Sequence, residues 1–78
     1  MNQVNHPPHY TYGKTEAIDV IESAVISAPN PICAGLHWNT LKYLLRLWHK
    51  ECSLTDALKA RWYLDRLIQK LEADVKLE

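Results

Sequence analysis

The chain has 78 residues, of which 47% are hydrophobic and 23% are charged, and its 9 basic side chains equal its 9 acidic ones. This balance excludes a disordered tail or a strongly basic nucleic-acid arm, so an anion site must come from local clustering of cations. A chain this short forms one domain at most and buries a small share of its surface, so we expect a homo-oligomer.

Its apolar and cysteine content excludes several other classes. No apolar run approaches the roughly 18 residues of a membrane span, and the polar, proline-bearing N-terminus does not resemble a signal peptide. Cys33 and Cys52 lack a Cys-x-x-Cys spacing, so we expect reduced structural thiols and neither a zinc knuckle nor a disulfide framework. The composition predicts a soluble, intracellular protein with neither membrane nor duplex nucleic acid as partner.

Residues 1–14 are predicted to form an extended N-terminal arm, which contains the stretch VNHPPHYTYGK. Pro7 and Pro8 favour polyproline II, whose three residues per turn place His6 and His9 on the same side. At about 3.1 Å per residue these histidines stand roughly 9 Å apart, too far to share one zinc ion. We therefore expect no metal site. Two alternatives stay open: a disordered tail, or an arm whose histidines and tyrosines contact an extended ligand.

The first predicted helix runs from Thr15 to Ala28. Apolar residues recur along it at three- and four-residue steps: Ala17, Ile18, Ile21, Ala24, Val25 and Ala28. Thr15 is the expected N-cap, and Pro29 and Pro31 are expected to stop the helix and make the following segment a connector.

The second predicted helix, from about Cys33 to Lys50, is apolar around most of its circumference and is therefore expected to be the central helix. Its large apolar residues are Leu36, Leu41, Leu44, Leu45, Leu47 and Trp48.

The third predicted helix begins at Ser53-Leu54-Thr55-Asp56, which fits a Ser-x-x-Asp variant of the capping box. Its apolar residues keep helical spacing as far as Val75. The three helices predict an all-α fold, a small bundle with an extended N-terminal arm, in which residues 15–78 form a single helical domain.

Cations and aromatic rings share one face of each of the last two helices. The second helix carries Asn39, Lys42, Tyr43, Arg46, His49 and Lys50, and the third carries Lys59, Trp62, Tyr63, Arg66 and Lys70. Lysine and arginine bind phosphate and flat rings stack on a base, so two such stripes lining one pocket suit a nucleotide. The alternative is that the cations are solvated or pair with acids of the first helix, while Trp62 and Tyr63 pack in the core.

Four stretches of the chain resemble the DUF3310 family of small phage proteins. They are Asn5-His6-Pro7-Pro8-His9-Tyr10, Glu16 with Ile18-Asp19-Val20-Ile21-Glu22, Asn39-x-x-Lys42-Tyr43-x-x-Arg46, and Asp56-x-x-Lys59-Ala60-x-Trp62-Tyr63-Leu64. Many members are named phage nucleotide kinase, because a similar phage protein is described as phosphorylating deoxynucleoside monophosphates. The resemblance implies the cytoplasm of an infected bacterial cell and nine ligand-binding positions: His6, His9, Tyr10, Asn39, Lys42, Tyr43, Arg46, Lys59 and Trp62.

Three functions follow as alternatives. The leading one is binding of a nucleotide or nucleotide-derived phosphate ligand, for example to sequester an antiviral signal of the host, and binding requires no cofactor. The second is a deoxynucleoside monophosphate kinase, which would need ATP and Mg²⁺, although the chain has no Gly-x-x-x-x-Gly-Lys-Ser/Thr loop. The third is a helical module for oligomerisation or protein interaction. The catalytic residues of the kinase alternative are not identified by any motif.

Overall fold

A computed structural model describes residues 11–12, 15–49 and 51–77 of the chain, with side chains described for 16–49 and 51–75. The elements in chain order are β1 (Thr11–Tyr12), β2 (Thr15–Glu16), α1 (Ala17–Val25), α2 (Pro31–Leu45) and α3 (Ser53–Leu77). The predicted small all-α bundle of three helices is confirmed. No helix in the described part of the chain is long and apolar enough to cross a membrane.

A short hairpin precedes the helices. Strands β1 and β2 pair antiparallel, with Thr11 opposite Glu16 and Tyr12 opposite Thr15. Strands of two residues are too short to show the alternation by which a strand is recognised in a sequence. Because Thr15 lies in β2, the prediction that it caps the first helix was wrong. Glu16 occupies the N-cap position of α1 and makes no capping hydrogen bond with its side chain.

Helix α2 begins at Pro31, two residues earlier than predicted. The Asn30 side chain caps it, because its Oδ1 accepts a hydrogen bond of 2.8 Å from the backbone N–H of Cys33. Proline is well suited to the first position of a helix, where its missing N–H would have no helical partner. Pro31 therefore starts this helix instead of belonging to a connector.

Helix α2 also ends earlier than predicted, at Leu45 instead of about Lys50. Arg46 leaves the helical conformation, with φ −99° and ψ 9°. The chain then turns through residues 46–49, where the His49 N–H donates to the Arg46 carbonyl oxygen at 2.9 Å.

Helix α3 begins at Ser53, where its start was predicted, but the predicted capping box is not formed. The Ser53 hydroxyl donates to the carbonyl oxygen of Leu47 at 2.8 Å, and the Asp56 carboxylate accepts from Arg46. The N–H of Asp56 donates to the Cys52 carbonyl oxygen at 3.1 Å, which is the first helical hydrogen bond of α3. Both side chains of the expected box therefore join α3 to the preceding turn.

Helix α2 packs against α3 and also against α1, which confirms that it is the central helix. The buried apolar residues are small or of medium size: Ala17, Ile21, Cys33 and Ala60. Thr40, also buried, donates its hydroxyl to the Leu36 carbonyl oxygen at 2.8 Å, so it has a hydrogen-bond partner inside the bundle. Cys33 and Cys52 are both free thiols, and Cys52 is exposed.

The cap of α2 yields a stability prediction. Asn30→Ala should lower the free energy of unfolding by about 1 kcal/mol, because it removes the side-chain acceptor of the Cys33 N–H. Urea denaturation followed by circular dichroism measures the change. Asn30→Ser keeps an acceptor and should cost much less, and equal stability of all three proteins would contradict the capping role.

Candidate anion-binding site

Three cations surround the ring of Tyr43. Lys42 Nζ lies 4.8 Å from the ring centroid, Arg46 Cζ lies 4.8 Å from it, and Lys59 Nζ lies 5.4 Å from it. All three distances are within the range of a cation–π contact, about 6 Å. We call Lys42, Tyr43, Arg46 and Lys59 the Tyr43 cluster. Because α2 and α3 pack together, the cluster joins the two stripes that the sequence predicted to line one pocket.

Two further aromatic rings of α3 extend the Tyr43 cluster. Tyr63 stacks on Tyr43 with ring centroids 6.0 Å apart, and Trp62 meets Tyr63 edge-on at 5.1 Å. An open hollow of about 350 Å³ is lined by Tyr43, Lys59, Trp62 and Tyr63. The Trp62 residue is 63% exposed, so the alternative that it packs in the core was wrong. Its exposed ring is accessible to a flat ligand.

Arg46 holds the turn between α2 and α3 closed. Its Nε and Nη2 donate to the two carboxylate oxygens of Asp56 at 3.3 and 3.2 Å, the bidentate geometry that arginine favours. The exposed fractions of the two side chains are only 15% and 6%. Arg46 therefore pairs with Asp56, an acid of α3.

The two lysines of the Tyr43 cluster, unlike Arg46, make no ion pair within the described part of the chain. Neither Lys42 nor Lys59 has a carboxylate within ion-pair distance in the described part of the chain. The Tyr43 cluster thus contains two cations without an ion pair among the described residues, beside an arginine paired with Asp56. This local excess of positive charge occurs in a chain whose formal net charge is zero.

A second hollow, of about 740 Å³, lies at the turn between α2 and α3. It is lined by Arg46, Trp48, His49, Glu51, Cys52, Thr55, Asp56 and Lys59. Lys59 and the aromatic rings define the first hollow, so Lys59 borders both. Trp48 was predicted to belong to the apolar surface of the second helix, but it follows the end of α2 and is largely exposed.

The other predicted site residues are distributed as follows. Asn39 lies one turn before Tyr43 on α2, and its Nδ2 donates to the Gly35 carbonyl oxygen at 2.9 Å. His6, His9 and Tyr10 lie outside the described residues, so their contact with a ligand stays a prediction. Within the described residues, no group of three or more His, Cys, Asp or Glu side chains is arranged to hold a metal ion.

Two contributors to the site were missed by sequence reasoning. Tyr63 was assigned to the cationic stripe but not to the ligand positions, and Asp56 was assigned to a helix cap. The spacing Asp56-x-x-Lys59-x-x-x-Tyr63 places all three on neighbouring turns of one face, and this was the available signal.

The Arg46–Asp56 pair yields a second stability prediction. Arg46→Ala should lower the free energy of unfolding by about 3 kcal/mol, because it leaves the buried Asp56 carboxylate without its charged partner. Urea denaturation measures the change. The double variant Arg46→Met with Asp56→Leu should recover most of the loss, since it removes both charges. A cost below about 1 kcal/mol for Arg46→Ala would show that the pair acts as an ordinary surface ion pair.

Comparison with known proteins gives a family and no described activity. No curated protein and no solved structure matches the chain. A family model described as protein of unknown function, DUF3310, matches residues 4–65. This match covers most of the 78 residues and includes every described residue of the Tyr43 cluster. The chain belongs to the DUF3310 family.

Proposed function

We propose that the protein binds a nucleotide or another nucleotide-derived phosphate ligand at the Tyr43 cluster. The observation that carries this proposal is the position of Lys42, Arg46 and Lys59 within 5.4 Å of one ring centroid. Lys42 and Lys59 have no carboxylate within ion-pair distance among the described residues, so a bound anion would supply their charge partner. A phosphate group supplies such an anion and also accepts hydrogen bonds from both lysine and arginine.

The residues of the cluster would have different roles. Lys42 and Lys59 would neutralise the phosphate as mobile point charges. Arg46, whose guanidinium is oriented by Asp56, would add a positive charge in a fixed position. The exposed ring of Trp62 would stack on the base, an interaction worth about 1–3 kcal/mol per base. Asn39 would border the ligand from the preceding turn of α2.

Sequestration is the use that fits this arrangement best. A binder needs cations, aromatic rings and a cover, and the chain has the first two on one surface. The predicted cover is the N-terminal arm with His6, His9 and Tyr10, to which a homo-oligomer would add the arm of a second copy. For a small phage protein in the cytoplasm of an infected bacterium, the ligand would be an antiviral nucleotide signal made by the host.

A kinase is the second candidate, and one observation favours it. Lys59 borders two hollows, of about 350 and 740 Å³, and a kinase must place two nucleotides side by side with the transferred phosphate between them. The reaction would consume ATP with Mg²⁺ as cofactor. Against this reading, both hollows are open grooves, while phosphoryl transfer requires exclusion of water. The third candidate, a protein-interaction module, needs no ligand at the Tyr43 cluster.

The binding proposal is tested at Lys59. Lys59→Ala should weaken binding of ATP or cyclic di-AMP, whichever binds the unmodified protein, by about tenfold, because it removes one charge-assisted hydrogen bond to phosphate. Isothermal titration calorimetry measures the affinity. Lys76→Ala is the matched control, since it removes the same charge about 25 Å further along α3. Equal affinities of the two variants would place the site elsewhere, and no binding of either ligand to the unmodified protein would contradict the binding proposal.

Binding and catalysis are separated by recovering the ligand. The protein is incubated with ATP, Mg²⁺ and each deoxynucleoside monophosphate, then denatured, and the released nucleotides are analysed by chromatography. The sequestration proposal predicts unaltered nucleotides in stoichiometric amounts. Formation of deoxynucleoside diphosphates beyond one equivalent would contradict it and establish the kinase.

A further inference from the structure

Helix α3 extends beyond the helix on which it packs. It has 25 residues and α2 has 15, a difference of about 15 Å at 1.5 Å per residue. Residues 71–75 are all exposed, and five consecutive residues complete more than one turn. No face of this part of α3 is therefore covered by the described part of the chain. A short helical segment without packing partners is only marginally stable in water.

The exposed part of α3 carries an apolar stripe. Leu64, Ile68, Leu71 and Val75 follow one another at steps of four, three and four residues, so they share a face. Their exposed fractions are 42%, 43%, 42% and 68%. An open hollow of about 370 Å³ lies along the last three. Large apolar side chains concentrated on one exposed face mark an interaction surface.

The steps between residues of the stripe follow the same order in both directions along α3. Ala57 lies on the same face one heptad before Leu64, and Arg61 lies at the edge of that face. With both included, the steps alternate as four, three, four, three and four residues, the heptad spacing of paired helices. In an antiparallel pair of α3 helices, a two-fold axis level with Arg66 would place Leu64 against the partner's Ile68. The same axis would place Ala57 against the partner's Val75. Heptad spacing allows two copies of α3 to pack along each other about such an axis.

The charges beside the stripe favour the same arrangement. Arg61 and Glu72 are eleven residues apart, which at 100° per residue returns the chain to within about 20° of the same face. About the axis level with Arg66, Arg61 would lie beside the partner's Glu72, and this pair would occur twice. In a parallel pair in register, Arg61 would be level with the partner's Arg61 and about 16 Å along the axis from the partner's Glu72, so this ion pair would not form. Both residues are exposed and available for such contacts.

We propose that this stripe is the interface of an antiparallel homodimer, in which α3 of each copy packs along α3 of the other. Leu64, Ile68, Leu71 and Val75 form its apolar centre. The partner is a second copy of this chain because the flanking charges Arg61 and Glu72 are complementary to themselves in this arrangement. Lys59 and Trp62 point more than a quarter turn away from the stripe on the helical wheel, so the Tyr43 cluster stays accessible in the dimer.

Sedimentation equilibrium of the full chain tests the interface. The unmodified protein should have twice the chain mass of 9.0 kDa, and Ile68→Asp should reduce it to the mass of one chain, because a charge would be buried at the centre. Gln69→Asp is the matched control: it adds the same charge one residue along, off the stripe, and should leave the dimer intact. A monomeric unmodified protein, or an assembly that Ile68→Asp does not dissociate, would overturn the proposal.

A charge exchange tests the antiparallel orientation and remains informative if Ile68→Asp does not fold. Arg61→Glu should raise the dissociation constant of the dimer about tenfold, since it places two acids together at both ends of the interface. Adding Glu72→Arg should restore the original value. Failure of the second change to restore it would exclude the antiparallel pairing. Ligand affinity is read separately, since neither residue belongs to the Tyr43 cluster.

Discussion

The bidentate pair between Arg46 and Asp56 is the contact on which the rest of the site depends. It links Arg46, the residue that follows the end of α2, to the first turn of α3, and the hydrogen bond from Ser53 to the Leu47 carbonyl oxygen closes the same turn. These two contacts fix the start of α3 relative to the end of α2, and so they set which residues of α3 lie beside α2. Lys59 is one turn beyond Asp56, and this position brings its ammonium group to the Tyr43 ring.

Because of this ion pair, a substitution of Arg46 would have two separate effects. Its guanidinium neutralises a buried carboxylate, and it also faces the ring of Tyr43. Loss of ligand binding in an Arg46 variant would therefore not distinguish a ligand contact from a disturbed turn. Lys59 is exposed and has no carboxylate partner among the described residues, so its removal reports on charge at the site with little effect on the fold.

Much of the fold was predictable because helical periodicity is a local property. The three helices and the two cationic stripes followed from spacing alone. Apart from the start of α3, the ends of the helices did not, since Asn30, Ser53 and Asp56 each have several possible hydrogen-bond partners, and packing selects among them. A capping box and an interhelical ion pair are equally compatible with Asp56 in the sequence. Because the turn brings the Arg46 guanidinium next to the Asp56 carboxylate, the ion pair forms instead of the capping box.

The candidate site was predictable in part for the same reason. Lys42, Tyr43 and Arg46 share one helix face by their spacing, but their distance from Lys59 depends on how α2 and α3 pack. The exposure of Trp62 also could not be predicted from the sequence, because tryptophan is highly buried on average and a largely exposed ring is the less common case. The family resemblance identified the candidate ligand-binding residues, and the packing of α2 against α3 brings those of the Tyr43 cluster together.

The most direct test of the account is a titration of the ¹⁵N-labelled protein with ATP and cyclic di-AMP, followed by two-dimensional NMR. Binding at the Tyr43 cluster predicts saturable shifts of the backbone amides of Tyr43 and Lys59 and of the indole N–H of Trp62. Inorganic pyrophosphate should shift the amide signals of Tyr43 and Lys59 but not the indole N–H signal of Trp62. Shifts that do not saturate, or that avoid the cluster while the protein stays folded, would contradict the central claim.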